Sequence, residues 1–223
     1  GASADLVEQI RSAGGRAVAI EADVSDPDAV EEMFACITAT GPLHGLVNNA
    51  GIIQEQGFLD TSEEDWRRIM AVDLDGVYRC CRCALESMSG AGRGAIVNIA
   101  SNAARVPRLQ MAAYCASKSA LASLSHCAAL ELAEYGVRCN LVSPGSTDTP
   151  MLRSMLNNEE GSHYPGYQRT IKGLPEQYKL GIPLQKIATP QEIANTVLFL
   201  ASDLASHITM QEIVVDGGAT LAP

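Results

Sequence analysis

Apolar and polar positions alternate along this chain between helix-like and strand-like periods. Residues 4–13 carry helix-forming apolar positions, and Gly14-Gly15 stands where a C-terminal cap belongs. RAVAIEADVS (16–25) reads as a buried strand. Ser25 and Asp26 open a helix over 26–40 that puts Val30, Met33, Phe34 and Ile37 on one face. LHGLVNNAG (43–51) is a short apolar strand running into a turn. A helical region follows over 62–89, capped by Ser62 and broken by Gly90 to Gly94. Next come a strand, GAIVNIAS (94–101), a long helix over 111–136 ended by Gly136, and a strand, VRCNLVSPG (137–145), closed by Pro-Gly. TPQEIANTVLFLAS (189–202) is a capped helix with Pro190 in its first turn, and EIVVDGG (212–218) is a last strand. The segment 149–186 is polar, interrupted by Gly and Pro and too long for a simple connector, so it is expected to be a substrate loop.

Strands alternate with helices throughout, and the strand runs lack a period of two. That is the pattern of an α/β protein with a doubly wound, Rossmann-like parallel sheet covered on both faces, here in a single domain over 1–223. Ligands of such sheets bind beyond the carboxyl ends of the strands. The segments at those ends are DVS, NNAG, IAS and SPGSTDT.

Composition narrows the function. With 47% hydrophobic and 19% charged residues the chain suits a soluble globular protein, and a net charge of −10 argues against nucleic acid as a partner. No apolar run approaches the roughly 20 residues of a membrane-spanning helix. The seven cysteines are odd in number, and Cys80, Cys81 and Cys83 crowd one helix instead of taking metal-ligand or disulfide spacings. They read as reduced thiols of a cytoplasmic protein, and no metal is expected. His44, His126, His163 and His207 show no ligand spacing.

Chemistry concentrates in SNAARVPRLQMAAYCASK (101–118). Tyr114 and Lys118 lie one helical turn apart, so the ammonium can act on the phenol. Bringing a phenol from about 10 to near neutrality takes roughly 4 kcal/mol of preference for the phenolate. A cation beside it supplies part, and Tyr114 is then expected to serve as a general base toward an alcohol. Ser101, at a strand end, can hydrogen-bond the same substrate oxygen.

Ser101, the Tyr114/Lys118 pair, NNAG at 48–51 and NLVSPG at 140–145 followed by Thr149, in this order, resemble the short-chain dehydrogenase/reductase family over essentially the whole chain. The resemblance implies that Ser101, Tyr114 and Lys118 are catalytic. It implies that Asp23 and Val24 meet the adenine and that Asn49, Ala50 and Gly51 form the turn beside the cofactor ribose. Pro144, Gly145, Thr147 and Thr149 would meet the nicotinamide and pyrophosphate, and Tyr114 and Lys118 would also touch the cofactor.

SPGSTDTPM (143–151), the stretch 179–209 and the ending VVDGGATLAP are similar to the dihydrodiol dehydrogenases of catechol siderophore synthesis, a branch of that family. This implies NAD as cofactor, with NADP not excluded, and a substrate with a ring alcohol and a carboxylate. Arg108, in the loop before the Tyr114 helix, is the candidate for the carboxylate, with Arg105 as rival. Met151 is the candidate apolar wall for the ring. The resemblance also implies a homotetramer built through helices at 73–89 and 113–135.

Two departures stand out. The family has asparagine where AVDLDG carries Asp73, a position of the catalytic relay. An aspartate there keeps its main chain but adds a negative charge, expected to raise the pKa of Lys118. The Gly-rich turn that receives the pyrophosphate, with the strands on either side of its helix, is absent from the chain. The expectation is therefore a portion of a longer polypeptide, with two strands intervening between 16–25 and 43–49. Two other functions stay open: an NADP-dependent ketone or 3-oxoacyl-thioester reductase of the same family, and a noncatalytic binding subunit.

Overall fold

A computed structural model describes residues 2–156 and 165–221. His163 and part of 149–186 lie outside the described residues. The first half comprises α1 (Ala2–Ser12), α2 (Pro27–Thr38), β1 (Gly45–Asn48), α3 (Glu63–Met70), α4 (Gly76–Ala91) and β2 (Gly94–Ile99). The second comprises α5 (Ala112–Leu132), β3 (Val137–Pro144), α6 (Pro150–Met155), α7 (Pro165–Lys172), β4 (Gly173–Leu174), β5 (Lys179–Leu180), α8 (Pro190–Ala201) and β6 (Glu212–Val215). β1, β2, β3 and β6 form one parallel sheet in that order, with Val47 opposite Val97, Val97 opposite Asn140, and Leu141 opposite Glu212.

Successive residues of β2 serve opposite faces. Ile96 joins Val30, Phe34, Met88 and Leu132 beneath α2, α4 and α5, whereas Val97 joins Val142 and Leu200 beneath α8. Full burial of a side chain such as Met88 is worth about 1.5–3 kcal/mol, so burial on both faces, rather than strand propensity, accounts for the unbroken apolar runs.

The local signals for helix ends act through specific atoms. Asp26 caps α2 by accepting from the amides of Asp28 and Ala29, and Ser62 caps α3 by accepting from Asp65. Thr189 and Glu192 cap α8 reciprocally, with Pro190 in its first turn.

Three expectations change. The stretch 16–25 is not a strand: it is irregular and Val18 is 75% exposed. A strand exists only through its ladder, and among the described residues none pairs with this stretch or with the outer edge of β1. The helical region 62–89 is interrupted at Ala71–Asp75 by a turn of π-helix, which joins α3 to α4. The segment 149–186 is no plain loop. It holds α6, α7 and the antiparallel β4–β5 pair, and it packs Leu152, Tyr167, Ile171 and Ile182 into a cluster of their own.

Candidate active site

Three strand ends and one helix converge on a cavity of about 780 Å³. Asn49 and Gly51 reach it after β1, Ser101 after β2, Pro144 and Gly145 from the end of β3, and Tyr114 and Lys118 from α5. A buried chain of side chains fastens α5 to the sheet. Asn48 donates to Asn98 at 2.8 Å, and Asn98 donates to Ser125 of α5 at 2.8 Å. With its members buried and paired, this chain fixes the height of α5 over the strands.

The Lys118 ammonium lies 5.7 Å from the centre of the Tyr114 ring and donates to the Ile99 carbonyl at 3.2 Å. It also meets the Asp73 carboxylate at 3.5 Å, in a pair whose side chains are 5% and 0% exposed. The π turn carries Asp73 into this position, and such turns recur at functional sites. Asp73 accepts from the Ile52 amide at 2.8 Å and from the Ser117 hydroxyl at 3.4 Å. Gly51 lies against the pair, since a Cβ there would stand in van der Waals contact with the Lys118 nitrogen at 3.4 Å.

The electrostatics of the pair are dominated by burial. The Tyr114 phenol is pushed up to about 12, first by burial, with hydrogen bonding to Ser101 pulling it down and the Asp73 charge holding it up. Burial dominates this shift, and the Lys118 ammonium beside the ring is itself in contact with the Asp73 carboxylate. Asp73 does raise the Lys118 pKa, as expected, but burial of the charge has the larger effect and the net shift is downward. Burial likewise raises the Asp73 carboxyl, against the pull of Lys118.

The remaining candidates divide. Thr147, Thr149, Arg108 and Met151 also line the cavity. The Thr149 hydroxyl caps α6 by accepting from Leu152. Asp23, Val24 and Ala50 are not part of the cavity wall. Asp23 is occupied by the amide and hydroxyl of Ser25, at 2.8 and 2.7 Å. Gly145 permits the turn after β3 to press against the end of β6, since a Cβ would fall 2.5 Å from the Asp216 Cβ. Of the two arginines considered for a carboxylate, Arg105 is already bound to Glu212 at 2.8 Å. Arg108 has no ion-pair partner among the described residues, and burial depresses its pKa.

The cavity continues past these groups into a trough between β1 and α8, lined by Val47, Ile193, Val197 and Leu198. Its volume therefore exceeds that of the space around Tyr114. Sequence reasoning missed Lys179 of β5, which also lines the cavity. It lies in a polar segment whose path back to the sheet carries no periodic signal. Burial of Cys80, Cys81 and Cys139 pushes these thiols up to about 11, 12 and 12, which keeps them protonated. Among the described residues no cluster of metal-ligating side chains occurs, and no helix is long and apolar enough to cross a membrane.

A parallel sheet with a serine, tyrosine and lysine gathered beyond its strand ends is a frame for moving a hydride and a proton at one carbon–oxygen bond. A family model described as enoyl-(acyl carrier protein) reductase matches residues 1–220. The structure of a short-chain type dehydrogenase/reductase from Mycobacterium marinum superposes with a TM-score of 0.86 at 32% identity, covering 98% of this chain and 81% of that one. The chain belongs to the short-chain dehydrogenase/reductase family and is an oxidoreductase. It is 50% identical over 200 residues to the 2,3-dihydro-2,3-dihydroxybenzoate dehydrogenase of Escherichia coli, a match covering 89% of this chain and 79% of the relative. It is 44% identical over 217 residues to the Bacillus subtilis protein of the same name, covering 97% and 81%.

Proposed function

We propose that the protein oxidises 2,3-dihydro-2,3-dihydroxybenzoate to 2,3-dihydroxybenzoate, with NAD as the oxidant, in the synthesis of a catechol siderophore. The observation that carries this reading is the pairing of a tyrosine–serine–lysine wall with an arginine, Arg108, that has no ion-pair partner among the described residues and lines the same cavity. The similarity to dehydrogenases of that name supports it.

In this reading Ser101 and Tyr114 hold the substrate hydroxyl between them. The Tyr114 oxygen takes the hydroxyl proton as hydride leaves the carbon, and the new ketone tautomerises to the aromatic catechol. Aromatisation makes the oxidation favourable. A bound oxidised nicotinamide would supply the hydride acceptor and a positive ring charge, and that charge would favour the phenolate that burial alone disfavours. Asn49, Gly51, Pro144, Gly145 and Thr147 suit its binding chemically, since small residues and turn backbone let a ligand approach closely. Lys118 keeps its position through Asp73 and Ile99 and stays directed at the phenol ring. Arg108 grips the carboxylate, and Met151 covers the ring.

The test is an absorbance assay for reduced nicotinamide with the dihydrodiol and either NAD or NADP. Turnover with NAD that falls at least about a hundredfold in Tyr114→Phe supports the proposal, the size expected for loss of a general base. Reduction of a ketone or 3-oxoacyl thioester by NADPH, without turnover of the dihydrodiol, would replace it with the reductase reading. Absence of any nucleotide binding by calorimetry would make the chain a noncatalytic member.

A further inference from the structure

Arg108 is not the only cation at the cavity wall. Lys179 of β5 lines it as well. Both side chains are half-buried. Neither lies within ion-pair distance of a carboxylate among the described residues, whereas Arg153, Arg169 and Lys186 of the same region all have partners. The two cations also feel one another. Burial lowers the pKa of Lys179 first, and the Arg108 charge lowers it further, with Glu55 opposing. For Arg108 burial likewise comes first, and the Asp216 carboxylate opposes it.

Two half-buried, mutually repelling cations cost free energy in the free protein, and an anion placed between them removes that cost. Glu55 and Asp216 offset part of that cost at a distance, but among the described residues no carboxylate reaches ion-pair distance of either cation, whereas Arg105 is paired with Glu212. The β4–β5 pair is tied to α7 by Ile182, which donates to the Ile171 carbonyl at 2.8 Å, and the apolar cluster around Tyr167 packs against Ala219 beyond β6. Lys179 is therefore presented by a packed element.

We propose that Arg108 and Lys179 form a two-armed carboxylate site, in which the lysine of β5 and the arginine of the loop before α5 bind the same substrate anion. This rests on the proposed dihydrodiol reading and adds to it a second specificity-determining residue. The carboxylate joins the two sides of the cavity and sets the ring carbon against Ser101 and Tyr114. An uncharged diol makes no charge-assisted contact with either cation and relieves none of their repulsion, so it gains less on binding than the carboxylated substrate.

The experiment compares Lys179→Gln and Lys179→Arg with wild type on two substrates, the carboxylated dihydrodiol and the matching cyclohexadiene diol without a carboxylate. Lys179→Gln is expected to raise KM for the carboxylated substrate roughly ten- to a hundredfold, the range of a charge-assisted contact. kcat/KM for the uncharged diol should stay within about twofold, and Lys179→Arg should recover most of the loss. Equal losses on both substrates, or no loss on either, would overturn the proposal.

A parallel titration keeps this inference separable from the proposed reaction. Binding of 2,3-dihydroxybenzoate and of catechol is measured by calorimetry on the wild type and on Lys179→Gln. If the wild type fails to oxidise the dihydrodiol yet prefers the carboxylated ligand in a Lys179-dependent way, the reaction is wrong and the anion site stands. Should the wild type oxidise the dihydrodiol while Lys179→Gln binds both ligands unchanged, the anion site is wrong and the reaction stands.

Discussion

Replacing Lys118 with methionine removes one half of a buried ion pair while keeping the length of the side chain. At the observed 3.5 Å, a pair of unit charges attracts by about 5 kcal/mol for an effective dielectric near 20. That attraction is set against the desolvation of both groups, so the pair as a whole adds little to stability. Removing one partner is different, because the other charge stays buried alone, at a cost of about 3–5 kcal/mol. For a chain of this size the corresponding fall in Tm is roughly 6 to 20 °C.

The cost has a defined pH dependence. Burial already raises the Asp73 carboxyl, and without Lys118 the one charge in contact with it that opposed that rise is gone. A carboxyl whose folded pKa lies above its unfolded value binds protons more tightly in the folded state, so its contribution to stability falls as pH rises through the carboxylate range toward the raised value. Lys118→Met should therefore be least stable above neutrality and recover part of the loss in mildly acidic buffer. Asp73→Asn keeps an oxygen for the Ile52 amide and a polar group for Ser117. The double variant Asp73→Asn/Lys118→Met should accordingly be at least about 2 kcal/mol more stable than the sum of the single losses predicts. Urea melts of the four proteins at two pH values measure this. Additive losses, or a Lys118→Met loss below about 1 kcal/mol above neutrality, would refute the claim that the two charges are buried against each other.

Asp73→Asn should also move the acid limb of the pH–rate profile to lower pH, because a negative charge that holds the Tyr114 phenol up has been removed; an upward shift would contradict this. Glu192 is held down to about 2, first by its hydrogen bond from Lys186 and then by the Thr189 amide. Its contribution is present above the ordinary carboxylate range and lost as pH falls toward about 2, so Glu192→Gln should flatten the acid end of a stability–pH profile. Leu130, 68% exposed on α5, belongs to the helix expected to build the tetramer. Leu130→Asp should lower the mass measured by light scattering, and an unchanged assembly would place the contact elsewhere.

Local relations along the chain were legible because helix and strand periods are short. Val30 and Phe34 share a buried face because a helix returns every 3.6 residues. Tyr114 and Lys118 meet for the same reason. The caps at Asp26, Ser62 and Thr189 were readable because each side chain acts on an amide two or three residues away. The unalternating apolar runs declared a sheet buried on both faces, and with it the end of the sheet where ligands bind.

Tertiary structure alone decided the relations between distant segments. The stretch 16–25 has strand composition and is no strand, since a ladder depends on what lies beside it. Asp73 and Lys118 are 45 residues apart, and nothing local announces that a π turn will set one carboxylate against one ammonium. The same holds for Arg105, drawn away to Glu212, and for Arg108 and Lys179, left to line a common cavity. Sequence thus determined where the main helices begin and end and which end of the sheet carries chemistry, through interactions spanning a turn or a strand. The charge state of the site was decided by packing, because burial and long-range partners, not residue type, govern the energy of an ion.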